Sequence, residues 1–319
     1  MKASVYYQYG TSEVLEIKEI EKPLPKADEI LVKVKATTVN RTDCAMLKAK
    51  PYIMRLFTGL FKPKNPILGT DFAGIIEEIG AEIKDFKIGD RVFGFSDLGV
   101  SSHAEYLCIS KKKAWAKIPE NINFEDAAAS LEGAHYAINF INKVKILPRQ
   151  KVLIYGASGA IGSAMLQILK HFGAEITAVG NSTSIEKLEK MSLEKVLDYE
   201  KEDFRKLEEK FDYVFDAVGK SSYFKTLHLL KPKGIYISSE LGYMAQNIFL
   251  PLLTTFSGKK VKFPFPSNIQ ASIKLISELL QNNEFEPFID KIYALNEIKE
   301  AFDYADSGKK TGNLVVCFP

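Results

Sequence analysis

Closely spaced glycines follow a short apolar run near the middle of the chain. The run is Val152–Tyr155, and the residues from Gly156 to Gly162 then read Gly-Ala-Ser-Gly-Ala-Ile-Gly. In a G-x-G-x-x-G fingerprint the second glycine lets the backbone approach a pyrophosphate, and the third lets a helix pack closely on the strand. The segment predicted to hold the phosphates of a dinucleotide consists of Ala157, Ser158, Gly159, Ala160, Ile161 and Gly162.

The residues around this segment supply the context that the fingerprint requires. Apolar residues recur at helical spacing from Ile161 to Phe172, and Gly173 follows where a C-terminal cap is expected. The order is therefore strand, tight turn and helix, with free N–H groups and the helix dipole available to phosphates. The alternative is a glycine-rich turn in another α/β fold.

The segments that must position this turn alternate along the chain. From residue 123 onward, predicted strands such as 175–179, 195–199 and 213–218 alternate with predicted helices, among them one over 203–210. This alternation predicts a parallel, doubly wound sheet. Residues 1–118 instead contain many short strands with turns between them, which is typical of a barrel.

The tail returns to a mixed pattern. Residues 269–281 read as an amphipathic helix, and a second helix over 296–304 is predicted, capped by Asn296, with Ile298 and Phe302 facing inward. A last strand is predicted at 312–317. The fold class is therefore α/β, with a β-barrel domain and a doubly wound sheet domain.

Composition excludes several classes of protein. The net charge of +3 is too small to indicate a nucleic-acid partner, and no apolar stretch reaches the length of about 20 residues that spans a membrane. The first residues lack the apolar region of a signal peptide. The three cysteines, Cys44, Cys108 and Cys317, are far apart and odd in number, so a reducing, cytoplasmic location is expected.

In the order of its pieces the chain resembles the medium-chain dehydrogenase/reductase superfamily, in its zinc-free, quinone-oxidoreductase-like branch. The segments that carry the resemblance over nearly the full length are Val39–Asp43, Leu68–Gly74, Gly89–Gly94, Gly156–Gly162, Phe215–Gly219 and Ala301–Val316. The resemblance implies a GroES-like catalytic domain over residues 1–118, completed by 266–319. It also implies a Rossmann domain that binds the cofactor over residues 119–265.

The resemblance also bears on metal binding. Zinc members of the superfamily use cysteine and histidine ligands, because tetrahedral zinc prefers thiolate and imidazole. This chain has Asn40 where a cysteine would lie and Gly69-Thr70-Asp71 in the usual Gly-His-Glu place, and it has no cysteine between Phe95 and His103. We therefore expect no zinc.

The residues after the second predicted strand bear on the choice of nicotinamide cofactor. NAD-binding proteins usually place an acidic residue about 20 residues past the glycine loop. Here the sequence is Gly180-Asn181-Ser182-Thr183-Ser184, which leaves space for a 2′-phosphate. Tyr199 matches a tyrosine of this pocket in the resembling reductases, and Lys187 could supply a point charge. NADPH is therefore preferred over NADH, although Ser182 and Thr183 could equally cap a helix.

The remaining cofactor contacts follow from strand ends. Val218 and Gly219 come after a strand at the carboxyl edge of the sheet, where ligands bind in open α/β folds, and Ser238 ends the next strand at that edge. By resemblance, the backbone of Val218 and Gly219 runs beside the nicotinamide ribose.

Four residues are candidates for catalysis. By resemblance Asn40 and Asp43 lie in the substrate cleft, although Asp43 could equally be a structural acceptor. His135 falls where many relatives carry a threonine near the nicotinamide, and it is a candidate donor to a substrate oxygen or a packed core residue. Tyr52 lies in the loop where some enoyl reductases place a proton-donating tyrosine.

Together these observations predict a cytoplasmic, NADPH-dependent, zinc-free oxidoreductase that passes hydride to a quinone or an α,β-unsaturated carbonyl compound. The alternatives are an alcohol dehydrogenase or ketone reductase, and a NADPH-binding sensor or scaffold without catalysis. A homodimer is plausible through an edge strand at Lys259–Phe265, although Pro264 could instead protect that edge from pairing.

Overall fold

The computed structural model describes residues 1–265 and 268–319. The chain divides into two compact units. The first comprises Met1–Glu132 and Asn268–Pro319, and the second comprises Gly133–Ser267. The predicted start of the tail at residue 266 falls on residues 266 and 267, which lie outside the described residues.

Strands and helices largely alternate along the second unit, as the apolar pattern there predicts, whereas most strands of the first unit follow one another directly. The strands are β1 (Lys2–Val5), β2 (Glu16–Glu19), β3 (Glu29–Thr38), β4 (Asp71–Ile79), β5 (Arg91–Phe95), β6 (Tyr106–Ser110), β7 (Ala114–Lys117), β8 (Lys151–Tyr155), β9 (Glu175–Gly180), β10 (Lys195–Asp198), β11 (Phe211–Asp216), β12 (Leu230–Ser238), β13 (Lys260–Lys262), β14 (Ile289–Ala294) and β15 (Asn313–Cys317). The helices are α1 (Arg41–Lys48), α2 (Arg55–Thr58), α3 (Phe124–Ala129), α4 (Glu132–Ile141), α5 (Ala160–His171), α6 (Ile185–Glu189), α7 (Tyr223–Thr226), α8 (Gln246–Leu253), α9 (Ile269–Gln281) and α10 (Ile298–Asp306).

The first unit is built on a mixed, mainly antiparallel sheet. Its strand order among the described residues is β14-β15-β3-β4-β5-β7. β6 pairs with the first half of β3, whereas β15 pairs with its last residues. β1 and β2 form a separate pair. The alternating residues Ile30, Val32 and Val34 of β3 are fully buried in the core of this unit. Both parts of the chain contribute to the sheet because β15, from the tail, pairs with β3.

The boundary between the units lies later than the sequence predicts. The prediction places it after residue 118, whereas the first unit extends to Glu132. The reason is that α3 packs on β3, β4 and β15, so the Ala127–Ala129 face is buried against the barrel.

The second unit contains a parallel sheet with the order β10-β9-β8-β11-β12-β13. Every pairing in it is parallel, which agrees with a doubly wound fold. β9, the next strand in the chain, lies on one side of β8, and β11 lies on the other side. The strand order therefore reverses at β8. In such sheets ligands bind at the carboxyl edge next to this reversal.

Two local predictions are wrong. The predicted helix over 203–210 is only a single 3-10 turn at Phe204–Lys206, because the backbone becomes extended at Leu207 and enters β11. Asn296 does not cap the helix predicted after it. Instead a 3-10 turn precedes α10, and the Glu297 carboxylate accepts from the Ala294 N–H at 2.8 Å.

The inward positions of that helix are confirmed, since Ile298 and Phe302 are both buried. The segment from 44 to 65, which has no clean apolar period, forms the end of α1, a 3-10 turn at Tyr52–Met54 and the short helix α2. Among the described residues no helix is both long enough and apolar enough to cross a bilayer.

Candidate functional site

The glycine turn joins β8 to α5 as the sequence predicts. Gly156 has a φ of 83°, a conformation that favours glycine, and Gly159 is the N-cap of α5. The backbone N–H groups of Gly156 and Ala157 both donate to the Val179 carbonyl at 3.0 Å, which ties the turn to β9.

The two later glycines have different roles. A Cβ atom built on Gly162 would lie 2.1 Å from the Gly156 carbonyl oxygen, so α5 can pack this closely only with glycine there. A Cβ built on Gly159 would meet only that same oxygen, at 3.6 Å. The space in front of Gly159 is therefore open, and the first N–H groups of α5, which have no partner within the helix, begin beside it. This cradle fits the phosphates of a dinucleotide.

Polar residues after β9 border the same edge. The Asn181 Oδ1 atom accepts from Ser184 at 2.6 Å and from Ser158 at 3.4 Å, so the amide is held against the glycine turn. The Ser182 hydroxyl donates to the Asp198 carboxylate at 2.5 Å. No acidic residue stands among residues 181–184, directly after β9, but the fold brings Asp198 there from the end of β10.

A cavity of about 420 Å³ opens next to Tyr199. It lies beside the end of β8, between the loops that follow β10 and β11. Its lining includes Tyr155, Tyr199, Phe204, Arg205, Lys220 and Ser221. Tyr155 stacks on Phe204 with ring centroids 4.7 Å apart, which gives the cavity an aromatic wall. Lys187 is exposed on α6 and is not among the residues that line the cavity.

The loop after β11 is shaped by a buried carboxylate that sequence reasoning missed. Asp216 accepts from the N–H groups of Val218 at 3.2 Å and Gly219 at 2.7 Å, and also from that of Ser221 at 2.8 Å. The sequence signal was available, because Asp216 is the last residue of a buried strand. Ser238, at the end of β12, is buried and its hydroxyl accepts from the Glu240 N–H at 3.3 Å.

A second polar cluster lies inside the first unit, and its centre is Glu132. This carboxylate accepts from Asn40 Nδ2 at 2.9 Å, from Thr42 at 2.6 Å and from Thr70 at 2.6 Å. The other Asn40 amide proton goes to the Thr38 hydroxyl at 2.6 Å. We call these residues the Glu132 cluster. Sequence reasoning missed Glu132, although it lies only three residues before the candidate His135.

Two aspartates flank the Glu132 cluster. Asp71 accepts from the Thr38 N–H at 2.8 Å and from the Thr38 hydroxyl. Asp43 accepts from the N–H groups of Asn40 at 2.9 Å and Gly69 at 3.2 Å, and it is fully buried. These contacts favour the structural alternative for Asp43, because both carboxylate oxygens hold backbone groups.

Burial controls the electrostatics of this region. It raises the pKa of the Asp71 carboxyl to about 7 and raises that of Asp43 well above its usual value, with Glu132 adding repulsion to both. The pKa of Glu132 is raised for the same reason, against the opposing effect of its threonine donors. Burial lowers the pKa of His103 to about 4, so this imidazole is neutral at physiological pH.

The other two catalytic candidates lie in different surroundings. Tyr52 is 70% exposed, and the Arg55 guanidinium lies 5.5 Å from its ring. His135 is buried within α4, where Asn139 Nδ2 lies 3.1 Å from its Nε2 atom. The structure thus brings Asn40 and Asp43 together around one helix start. Tyr52 belongs to the first unit, as Asn40 and Asp43 do, whereas His135 belongs to the second unit.

The donor set at Asn40 and Thr70 does not suit zinc. Both side chains donate hydrogen bonds to one carboxylate oxygen of Glu132, so their protons point where a cation would have to bind. The described residues also contain no group of three or more histidine, cysteine, aspartate or glutamate side chains arranged to hold a metal ion. The Asn40 and Thr70 side chains supply neither the thiolate nor the imidazole that zinc prefers.

Two sequence models of protein families match the chain. The model described as an alcohol dehydrogenase GroES-like domain matches residues 26–120, and the model described as a zinc-binding dehydrogenase matches residues 191–316. The second match covers no cysteine and a single histidine, His228.

Two reductases are similar to this chain over nearly its whole length. The 2-methylene-furan-3-one reductase of Solanum lycopersicum is 28% identical over 99% of this chain and 79% of its own length. The NADPH-dependent alkenal/one oxidoreductase, chloroplastic, of Arabidopsis thaliana is 27% identical with the same coverage. Among solved structures, the quinone oxidoreductase from Coxiella burnetii has a TM-score of 0.88 at 22% identity and covers 100% of this chain and 99% of its own.

Proposed function

Because the chain belongs to the medium-chain dehydrogenase/reductase superfamily, in its quinone-oxidoreductase-like branch, we propose that it is an NADPH-dependent reductase of quinones or α,β-unsaturated carbonyl compounds. The chain is an NAD(P)H-dependent oxidoreductase, and the proposal concerns its preferred cofactor, its acceptors and its independence of zinc. The relatives named for alkenal/one and furanone reduction, both similar over 99% of this chain, support the class of acceptor.

The observation that carries the proposal is the cradle at the start of α5. The open space at Gly159 and the unpaired N–H groups of the first helical turn would bind the pyrophosphate. Asp216 would hold the Val218–Gly219 loop in place beside the sugar, and the aromatic cavity at Tyr199 would take the adenosine end.

A bound nicotinamide would supply the hydride, and the protein would supply orientation and a dry pocket. Asn40 would help to shape the substrate side, since the Glu132 cluster holds its amide in one orientation. Tyr52 and His135 are the proposed donors of a hydrogen bond to the acceptor's oxygen. Asp43 would act by supporting the start of α1.

The proposal includes catalysis without zinc. Its support is the chemistry of the donor set, in which the protons of Asn40 and Thr70 already satisfy Glu132. Catalysis would then rest on hydrogen-bond donors and on burial of the acceptor rather than on a Lewis acid.

The direct test is a panel of quinones, enones, enals, alcohols and simple ketones, followed by loss of NADPH absorbance. We expect turnover with several quinones or enones. With NADPH as the cofactor, kcat/KM for these acceptors should be at least tenfold higher than for simple ketones. Turnover of alcohols and simple ketones alone would favour the alcohol dehydrogenase alternative. Cofactor binding with no turnover of any acceptor would favour a sensor or scaffold.

Metal content is tested separately. We expect less than about 0.1 zinc per chain in purified protein and unchanged activity after chelation, because the donor set lacks thiolate and imidazole. One tightly bound zinc per chain, with activity lost on its removal, would contradict this part.

We further propose that the enzyme is a homodimer. Next to the outer strand β13, the segment from Tyr243 to Phe256 exposes large apolar side chains. They are Tyr243, Met244, Phe249, Leu252, Leu253 and Phe256, each at least 62% exposed. At roughly 150 Å² for each large side chain, this face offers on the order of 800 Å², which is one side of a standard interface.

The contact would be carried by α8 more than by strand pairing. A second copy of β13 placed antiparallel across Val261 would bring Lys260 opposite Lys262, and like charges in that position are unfavourable. Pro264 lies outside β13 and so does not interrupt it. A cytoplasmic location is also part of the proposal, supported by the three unpaired cysteines.

A further inference from the structure

Ser182 and Asp198 meet because two strands are neighbours. Asp198 ends β10 and lies beside Gly180, the last residue of β9, in the parallel register. Ser182 follows two residues later, and its hydroxyl donates to Asp198 Oδ2 at 2.5 Å. Ser182 stands 20 residues after Gly162, where dinucleotide-binding proteins place the residue that contacts the ribose 2′ position.

Asp198 is surrounded by donors. Its Oδ1 atom accepts from the Glu200 N–H at 3.0 Å, and Lys201 Nζ lies 3.3 Å from Oδ2. The hydrogen bond from Ser182 is the main cause that lowers the pKa of Asp198, so the group is ionised at neutral pH. An ionised carboxylate only accepts hydrogen bonds.

The consequence falls on Ser182. A serine has one hydroxyl proton, and here that proton is committed to Asp198. The lone pairs of Ser182 Oγ remain for a ligand. They can accept from a ribose 2′-hydroxyl, but they cannot donate to a 2′-phosphate.

We propose that Asp198, acting through Ser182, is a specificity-determining residue that favours the 2′-hydroxyl cofactor and so keeps the preference for NADPH weak. The inference rests on the proposed function, since it concerns the same cofactor site. Asn181 serves either cofactor, because its oxygen is held by Ser184 and its amide N–H groups remain the donating side.

The test is Asp198→Asn. The Glu200 N–H keeps the amide oxygen at the Oδ1 position, so the new N–H₂ group points at Ser182 and releases the serine proton toward the ligand. Lys201 is released as well. We expect the NADPH:NADH ratio of kcat/KM to rise about tenfold or more, carried by KM with kcat unchanged, because the freed Ser182 proton can donate a charge-assisted hydrogen bond to the 2′-phosphate.

A binding measurement removes the dependence on turnover. In Asp198→Asn, the affinity for 2′,5′-ADP relative to that for 5′-ADP, measured by calorimetry, should rise by the same factor as the NADPH:NADH ratio of kcat/KM. Ser182→Ala, at an exposed position, should weaken the binding of 5′-ADP several-fold and leave the affinity for 2′,5′-ADP nearly unchanged. In the Ser182→Ala background, Asp198→Asn should change the ratio less than threefold. Glu189→Gln, which removes one charge from exposed α6, serves as the control and should leave the ratio within twofold.

The outcomes separate the two proposals. Unchanged ratios in Asp198→Asn, or an equal shift with and without Ser182, would overturn the role of Asp198 through Ser182. A protein that binds both nucleotides but turns over no acceptor would contradict the proposed reaction, while the binding ratios still decide the inference. A protein that binds neither nucleotide would contradict both.

Discussion

At the scale of single residues, the first unit depends on carboxylates that are buried with their donors. Asp71 and Glu132 together receive hydrogen bonds from Thr38, Asn40, Thr42 and Thr70. A buried acceptor is costly when it is left unpaired, so each of these contacts defines the local structure. The arrangement explains why Asn40 has one orientation although it carries no charge.

Asp71→Asn tests the electrostatic cost of this burial. The pKa of Asp71 is about 7 in the folded state, against 3.8 when unperturbed, so the folded protein binds its proton more tightly than the unfolded chain. The stabilisation is full below about pH 4 and is lost as the pH rises toward 7. Wild type should therefore lose on the order of 2 kcal/mol relative to the variant between pH 5 and pH 7, at about 1.4 kcal/mol per pH unit.

The measurement is denaturant unfolding of both proteins across this pH range. Taking the difference cancels the opposite contribution of His103, whose pKa is lowered to about 4 in the folded state. A difference that stays constant from pH 5 to pH 8 would show that Asp71 does not titrate there.

At the scale of elements, two glycines in the turn from β8 to α5 have different roles, one in packing and the other in ligand binding. Gly162 lies where the helix touches the turn, and any Cβ there meets the Gly156 carbonyl. Gly159 lies on the open side with an ordinary φ of −75°. One glycine is therefore required by the fold, and the other is required only by a group that approaches the backbone.

Paired substitutions at these glycines make this division measurable. Gly162→Ala should cost about 1–3 kcal/mol of stability, as overpacking does. Gly159→Val should stay within about 1 kcal/mol of wild type yet weaken binding of NADPH and of NADH at least tenfold. Thermal unfolding and calorimetry give the two readings. Unchanged cofactor affinity in folded Gly159→Val would refute the cradle.

At the scale of the whole molecule, the chain forms two units from three stretches. The first unit is closed only by the tail, because β15 inserts next to β3 and the buried Leu314–Val316 complete its core. The second unit is one continuous stretch and carries both the glycine turn and the apolar α8 face. A partner that covers α8 would therefore contact the unit that we propose binds the cofactor.

The homodimer is tested by light scattering after size-exclusion chromatography. Wild type should elute with twice the mass of the chain, and Leu252→Asp combined with Phe256→Glu should elute as a monomer. Phe61→Glu, at an apolar residue of the first unit that is 88% exposed, is the matched control and should remain a dimer. A wild type that is monomeric at micromolar concentration would exclude the interface.

By itself the sequence determined what depends on neighbours along the chain. The strand, glycine turn and helix at residues 151–173 were predictable because apolar periodicity and positive φ angles are local properties. The helix predicted over 203–210 was wrong because the chain must turn extended at Leu207 to enter the sheet.

Only the tertiary structure decided which polar groups meet. Asn40 and Glu132 are 92 residues apart in the chain, and Ser182 follows β9 whereas Asp198 ends β10. Their pairing follows from which strands lie side by side, and no spacing in the sequence encodes that order. The carboxylate missing after β9 is supplied from β10 for this reason, since parallel neighbouring strands end at the same edge.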